Sequence, residues 1–160
     1  MTTALPLWPF AILAGLLALG YRQSRDRVVQ PGVLAKVALA MLVLSLYGVT
    51  AAFGANVVPV LAWAAGFAAT VFVAGPVFAP RGLAREGRAV RVPGSWLPLG
   101  LMVGIFAAKF VLGYATGVDA QVVHEAWFIA AASAVFGLLS GAFAARATAV
   151  HRFVRSAPGA

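Results

Sequence analysis

A small cluster of ionisable residues lies where two long apolar runs of the chain meet. It comprises Lys109 well inside the first run and, after it, Asp119, His124 and Glu125. A charge inside an apolar run is costly in lipid, so it needs a partner or a route to water. We expect Lys109 and Glu125 to lie at similar depth on consecutive antiparallel helices and to form an ion pair there.

This cluster has two interpretations. The functional one is an anion or proton site that opens to the outer face, with Tyr47 of an earlier apolar run as a further polar group. The structural one is an interhelical ion pair in which the Lys109 side chain extends towards the headgroups. The structural interpretation is favoured, and intramembrane ionisable residues keep the functional one open.

The residue types that metal binding or catalysis requires do not converge. The chain has no Cys, which excludes disulfides and thiolate metal sites. His124 and His151 are predicted near opposite ends of the last helix, whereas a metal site needs three or four converging ligands. No phosphate-binding loop, nucleophile elbow or metalloprotease motif is present. We therefore expect no metal, no cofactor and no catalytic residues, and nothing in the sequence argues for an enzyme.

The composition indicates an integral membrane protein. Of the 160 residues, 62% are hydrophobic and 10% are charged, whereas soluble domains are about 45–50% apolar and about 25% charged. Apolar runs of about 20 residues are typical of transmembrane helices. The runs predict an all-α bundle of five transmembrane helices, a single domain over residues 1–160. The predicted spans are residues 5–21, 33–53, 57–78, 97–115 and 121–146.

The basic residues predict how these spans are oriented. Every Lys and Arg except Lys109 lies between spans one and two or in the first turn of span two (Lys36), around the polar loop 80–95, or at and after the end of span five. The positive-inside rule therefore places the N-terminus outside and the C-terminus in the cytoplasm. No Lys or Arg precedes the first apolar run, so we expect a retained span rather than a cleaved signal peptide.

The arginines on the cytoplasmic side are the predicted contacts with the membrane surface. Each basic residue near the surface contributes about 1 kcal/mol of attraction to anionic headgroups. Because topology already accounts for the positive charge, we expect no nucleic-acid partner. The residues expected to contact anionic lipid are Arg22, Arg25, Arg81, Arg85, Arg88 and Arg91.

Small residues form a face on two of the predicted helices. Gly137 and Gly141 make a G-x-x-x-G pattern in span five that Ser133 extends, and Gly66 belongs to a similar face in span three. Small residues let helix backbones approach closely in lipid. We favour packing within the bundle over a seam between two copies, because such faces serve both uses.

Three stretches of the chain resemble a known family. They are Gly20–Arg27 at the end of span one, Met41–Gly48 in span two and Gly137–Arg146 in span five. Together they resemble an uncharacterised family of small multi-span bacterial inner-membrane proteins, a domain of unknown function. The resemblance covers residues 5–146. It implies the fold and a location in the bacterial inner membrane, and it assigns no catalytic or binding residue.

Three functions are compatible with these features. The favoured one is a non-enzymatic membrane module that packs with itself or with a larger complex through the small-residue faces. The alternative is a small transporter or ligand-binding protein with a site around Lys109 and Glu125. The third, and weakest, is a membrane enzyme that acts on a phosphate-bearing lipid at the cytoplasmic face, where Glu86 is the one visible acid–base residue.

Overall fold

Helices make up most of the computed structural model, which describes residues 8–118 and 120–156. The helices are α1 (Trp8–Gln23), α2 (Pro31–Phe53), α3 (Val57–Ala68), the short α4 (Gly75–Phe78), α5 (Leu97–Gly117) and α6 (Ala126–Ser156). A π-helical turn, Ala69–Val73, continues α3, and a 3-10 turn, Gln121–His124, precedes α6. The strands are β1 (Arg27–Val29), β2 (Ala84–Glu86) and β3 (Ala89–Val92).

Three of these helices are long and apolar enough to cross a membrane. They are α2, α5 and α6, with 23, 21 and 31 residues, and about 20 residues are needed to span a hydrocarbon core. Helix α1 and the segment formed by α3 and its π turn are shorter and also apolar. The prediction of a mostly helical protein with apolar, membrane-compatible helices is confirmed.

The observed helix bounds differ from the predicted spans mainly at α6. The helix begins at Ala126, after the 3-10 turn, and continues beyond residue 146 to Ser156. Helices α2 and α5 each have a proline within their first two positions, where the missing N–H is not needed for an intrahelical bond. Helix α2 ends at Phe53 and is followed by Gly54, whose φ of 77° lies in the region that favours glycine.

The all-α prediction omitted a three-stranded antiparallel sheet with the order β1-β3-β2. Strand β1 comes from the link between α1 and α2, while β2 and β3 form a hairpin within the basic loop before α5. Arg27 pairs with Val92 and Arg85 pairs with Val90. The hairpin turn contains Gly87 at a φ of 61°. Two basic links that are far apart in sequence are therefore hydrogen-bonded to each other.

One face of this sheet packs against the C-terminal part of α6. Val90 and Val92 are buried and form a cluster with Val150 of α6. Successive side chains of a strand point to opposite faces, so Arg91 lies on the outer face, where its Nε donates a hydrogen bond of 2.7 Å to Glu86 Oε1. The sheet thus covers one end of the helices.

Helices α3 and α6 approach each other closely at three glycines. A Cβ added to Gly137 would lie 2.0 Å from the carbonyl oxygen of Trp63, and one added to Gly66 would lie 2.2 Å from that of Ala134. A Cβ on Gly141 would lie 2.8 Å from the carbonyl oxygen of Phe67. The small residues singled out in the sequence therefore lie inside this contact, where only glycine leaves room for the facing backbone.

Candidate functional site

Lys109 of α5 is exposed, and its ammonium group extends towards α6 and α2. Its Nζ is 5.2 Å from the ring centroid of Phe136 on α6, and a Cβ added to Gly48 of α2 would come within 2.7 Å of that nitrogen. An ammonium group at this distance from an aromatic face is attracted by the ring quadrupole. The absence of a side chain at Gly48 is what lets the lysine reach across to this position.

The ion pair expected between Lys109 and Glu125 does not form. Among the described residues, Glu86 pairs with Arg91, whereas Glu125 makes no ion pair with Lys109. Glu125 follows the 3-10 turn, ahead of the first residue of α6, and is exposed, as is His124 within that turn. Asp119 lies outside the described residues. The interruption of the helix before Ala126 moves the carboxylate out of the helical segment in which pairing was expected.

Tyr47 also lies apart from Lys109. Its side chain is 68% exposed, and it lines a shallow apolar groove of about 540 Å³ on the outer surface of α2. The groove is lined by Lys36, Leu39, Ala40, Val43, Leu44 and Tyr47. Lys109 is not among the residues that line this groove.

A polar link between three helices was missed by sequence reasoning. A serine within a helix usually bonds a carbonyl of its own helix, as Thr50 does with Leu46. Instead, Ser45 Oγ donates to the carbonyl oxygen of Phe136 on α6 at 3.2 Å and accepts a hydrogen bond of 3.1 Å from Trp63 Nε1 on α3. The link satisfies a largely buried indole N–H, so its role is structural.

Ser133 lies in the same interior. It is fully buried, and its Oγ is the one fully enclosed side-chain polar atom without a hydrogen-bond partner among residues 8–118 and 120–156. In the same ranges, no group of three or more His, Asp or Glu side chains lies close enough to hold a metal ion.

The arginines predicted to contact anionic lipid are all exposed. Arg22 and Arg25 lie around the end of α1, and Arg25 is stacked over the Tyr21 ring at 5.6 Å. Arg85 in β2 donates a hydrogen bond to the carbonyl oxygen of Val154 in α6 at 3.2 Å. The remaining residues, Arg81, Arg88 and Arg91, lie in and around the hairpin of β2 and β3. One exposed basic surface thus surrounds the sheet.

Two further arginines at this end, not singled out in the sequence, are partly or largely buried. Arg146 of α6 is only 6% exposed, and its Nη1 donates to the carbonyl oxygen of Phe78, at the end of α4, at 3.3 Å. Arg27 of β1 is half-buried, and burial lowers the pKa of its guanidinium from the ordinary value. The available sequence signals were the position of Arg146 in an alanine-rich helix and that of Arg27 beside two valines.

The whole chain, residues 1–160, matches the model of the DUF6622 family, a family of unknown function. The chain therefore belongs to this family, and the resemblance to a domain of unknown function is confirmed. No curated protein and no solved structure matches the chain.

Proposed function

We propose that this member of the DUF6622 family is a multi-pass, non-enzymatic module of a bacterial cytoplasmic membrane. It holds a basic face against anionic headgroups and packs with itself or with a larger membrane complex. The observation that carries the proposal is the three-stranded sheet. The sheet gathers two basic links at one end of the helices, and a concentrated positive surface next to apolar helices favours anionic lipid.

The sheet also supports five membrane crossings. Strands that are hydrogen-bonded to each other must lie on the same side of a bilayer, and β1 precedes α2 whereas β3 follows α4. If α2 crosses, the segment from α3 to α4 must cross back. The C-terminal part of α6 packs on the same sheet, so α5 and α6 form a second crossing and return. With α1 as the remaining span, the N-terminus lies outside and the C-terminus in the cytoplasm.

Packing with another protein would use a different surface from the one the glycines indicated. Gly66, Gly137 and Gly141 are already occupied by the contact between α3 and α6. Within the described residues, no other element covers the outward surface of α2, so this surface can contact lipid or a helix of another protein. Its large exposed side chains are Val33, Val37, Leu39, Val43, Leu44 and Tyr47.

Single-cysteine variants test this topology, because the chain contains no cysteine that would give background labelling. We expect Ala55→Cys, in the exposed link between α2 and α3, to react with a membrane-impermeant maleimide in intact spheroplasts. Arg88→Cys, in the exposed hairpin turn, is expected to react only after permeabilisation. Labelling of both variants in intact spheroplasts, or of Arg88→Cys alone, would contradict the proposed orientation.

A second candidate function is ligand binding at Lys109. It is favoured by the position of the ammonium group, which lies against Phe136 and next to Gly48 and has no carboxylate within ion-pair distance in the described ranges. A cation in an apolar helix is stabilised by an anion or by water. An anionic ligand entering from the outer end would supply the missing counter-charge.

Native mass spectrometry of the detergent-purified protein tests this second candidate. We expect a small non-lipid adduct on the wild type that is lost in Lys109→Met and retained in Lys36→Met. Lys36 is a suitable control because it lies in the first turns of α2, away from Lys109. Identical spectra without an adduct would remove the ligand site, and the same spectra report whether the module assembles with itself.

A further inference from the structure

We propose that Arg27 and Arg146 form a specific binding site for an oxyanion of the phosphate class. The site lies where the inner face of the sheet meets α6 and the end of α4. It goes beyond the general attraction of exposed arginines for headgroups, because it assigns two partly or largely buried side chains to one ligand.

The sheet register places Arg27 on the inner face. Arg27 is directly opposite Val92 in the antiparallel pair of β1 and β3, and directly opposed residues project to the same face. Val92 is 3% exposed, and Val29, two residues after Arg27, packs against the same buried cluster. The side chain of Arg27 therefore projects from the inner face of the sheet, the face that packs against α6.

The spacing along α6 brings Arg146 to the same region. Arg146 precedes Val150 by four residues, and such residues share a helix face. Val150 packs on the inner face of the sheet with Val90 and Val92. The positive charges of Arg27 and Arg146 are close enough to repel each other. Strand register and helix spacing thus converge on a pair of like charges at one position.

Neither acidic residue at this end of the described chain neutralises the pair. Asp26 Oδ1 accepts a hydrogen bond of 2.8 Å from the backbone N–H of Gly94, and Glu86 is paired with Arg91 on the outer face of the sheet. Burying positive charge without a counter-charge is unfavourable. A bound anion would remove this cost, which gives the site a reason to be occupied.

The donors of Arg146 are suited to such an anion. A guanidinium carries five N–H donors in a planar fork, and Arg146 uses one nitrogen, on the carbonyl of Phe78. Its other nitrogens are not among the fully enclosed unpaired atoms of the described residues, and the side chain as a whole is 6% exposed. A fork binds two oxygens of a phosphate in a bidentate manner. Two forks fit a tetrahedral dianion better than a carboxylate, which a single fork satisfies.

Two sources share this chemistry, namely free phosphate and the headgroup of an acidic phospholipid. The test measures binding to the detergent-purified protein by the shift of its thermal unfolding midpoint. The probes are inorganic phosphate, with chloride at matched ionic strength, and dioctanoyl phosphatidate, with dioctanoyl phosphatidylcholine as the uncharged comparison. We expect phosphatidate to stabilise the wild type, and stabilisation by phosphate as well would show that the anion alone suffices.

The variant Arg27→Gln is expected to weaken the apparent affinity at least about tenfold, because it removes charge-assisted hydrogen bonds. Arg152→Gln is the matched control, since it removes the same charge from an exposed position at the same end, outside the arginines expected to contact lipid. Arg27→Lys keeps the charge without the fork and is expected to give an intermediate loss. If Arg27→Gln does not fold, the loss of affinity in Arg27→Lys provides the test instead.

The proposal is overturned if neither phosphate nor phosphatidate stabilises the wild type, or if Arg27→Gln and Arg152→Gln weaken binding equally. Equal weakening would indicate diffuse attraction by the basic surface. Because these measurements are made in detergent, they are independent of orientation in the membrane. Their failure would leave the proposed topology standing, and failure of the cysteine-labelling test would leave this site standing.

Discussion

The variant Gly137→Leu is expected to prevent α3 and α6 from packing against each other, so that most of the protein does not fold. A side chain at this position meets the backbone of Trp63 and Phe67 rather than a flexible side chain, so neighbouring atoms cannot move aside. Overpacking typically costs about 1–3 kcal/mol and occasionally more. We expect the free energy of unfolding to fall by an amount at or above the upper end of this range. The reason is that the longest helix, α6, must separate from α3, its main partner.

Fluorescence-detected size-exclusion chromatography and thermal unfolding in detergent measure this effect. Gly113→Ala is the matched control, because no atom lies within 4 Å of a Cβ added to Gly113. The control is expected to remain folded, with unchanged or slightly higher stability, since alanine is a better helix former than glycine. A folded Gly137→Leu protein with wild-type stability would show that this contact does not hold the helices together.

The variant Gly94→Ala is expected to detach the link before β1 from the segment that follows β3. A Cβ on Gly94 would lie 1.9 Å from the carbonyl oxygen of Ser24 and 2.8 Å from the carbonyl carbon of Arg25. The same glycine donates its N–H to Asp26, so a displacement also breaks this hydrogen bond. The combined cost is roughly 1–3 kcal/mol, and it falls on the residues that position Arg27.

Limited proteolysis in detergent is a direct readout, because Arg25 in this link, with Arg22 and Arg27 on either side of it, is a trypsin site. We expect Gly94→Ala to be cleaved faster in the link than the wild type, while the helices stay protected. Gly100→Ala, which has no atom within 4 Å of the added Cβ, is expected to be cleaved like the wild type. Equal cleavage of both variants would show that the close approach at Gly94 does not stabilise the link.

The helices could be predicted because lipid imposes a simple composition on any segment that spans it. The positions of Gly66, Gly137 and Gly141 could also be recognised, since small residues at four-residue spacing form one face of a helix. The sequence left open which surface would cover that face. The structure shows that α3 of the same chain covers this face of α6. The sequence alone does not distinguish this from contact with a second copy of the protein.

The sheet and the geometry of the basic residues could not be obtained in the same way. The strands are three or four residues long, and β1 pairs with a strand that follows three further helices. Local patterns carry little information about such pairings. The Lys109–Glu125 pair was expected from spacing alone, and the break in the helix before Ala126 changed the position of the carboxylate.

The pairing of β1 with β3 also constrains the order in which the protein is assembled during synthesis. Strand β1 leaves the ribosome well before β3, so its backbone stays unpaired while α2, α3 and α4 are inserted. In the proposed topology, once α2 has crossed, β3 reaches the cytoplasmic surface only if the segment from α3 to α4 crosses back. Closure of the sheet is then a late step that reports correct insertion, and chains with a failed crossing would expose an unpaired strand edge to cytoplasmic proteases.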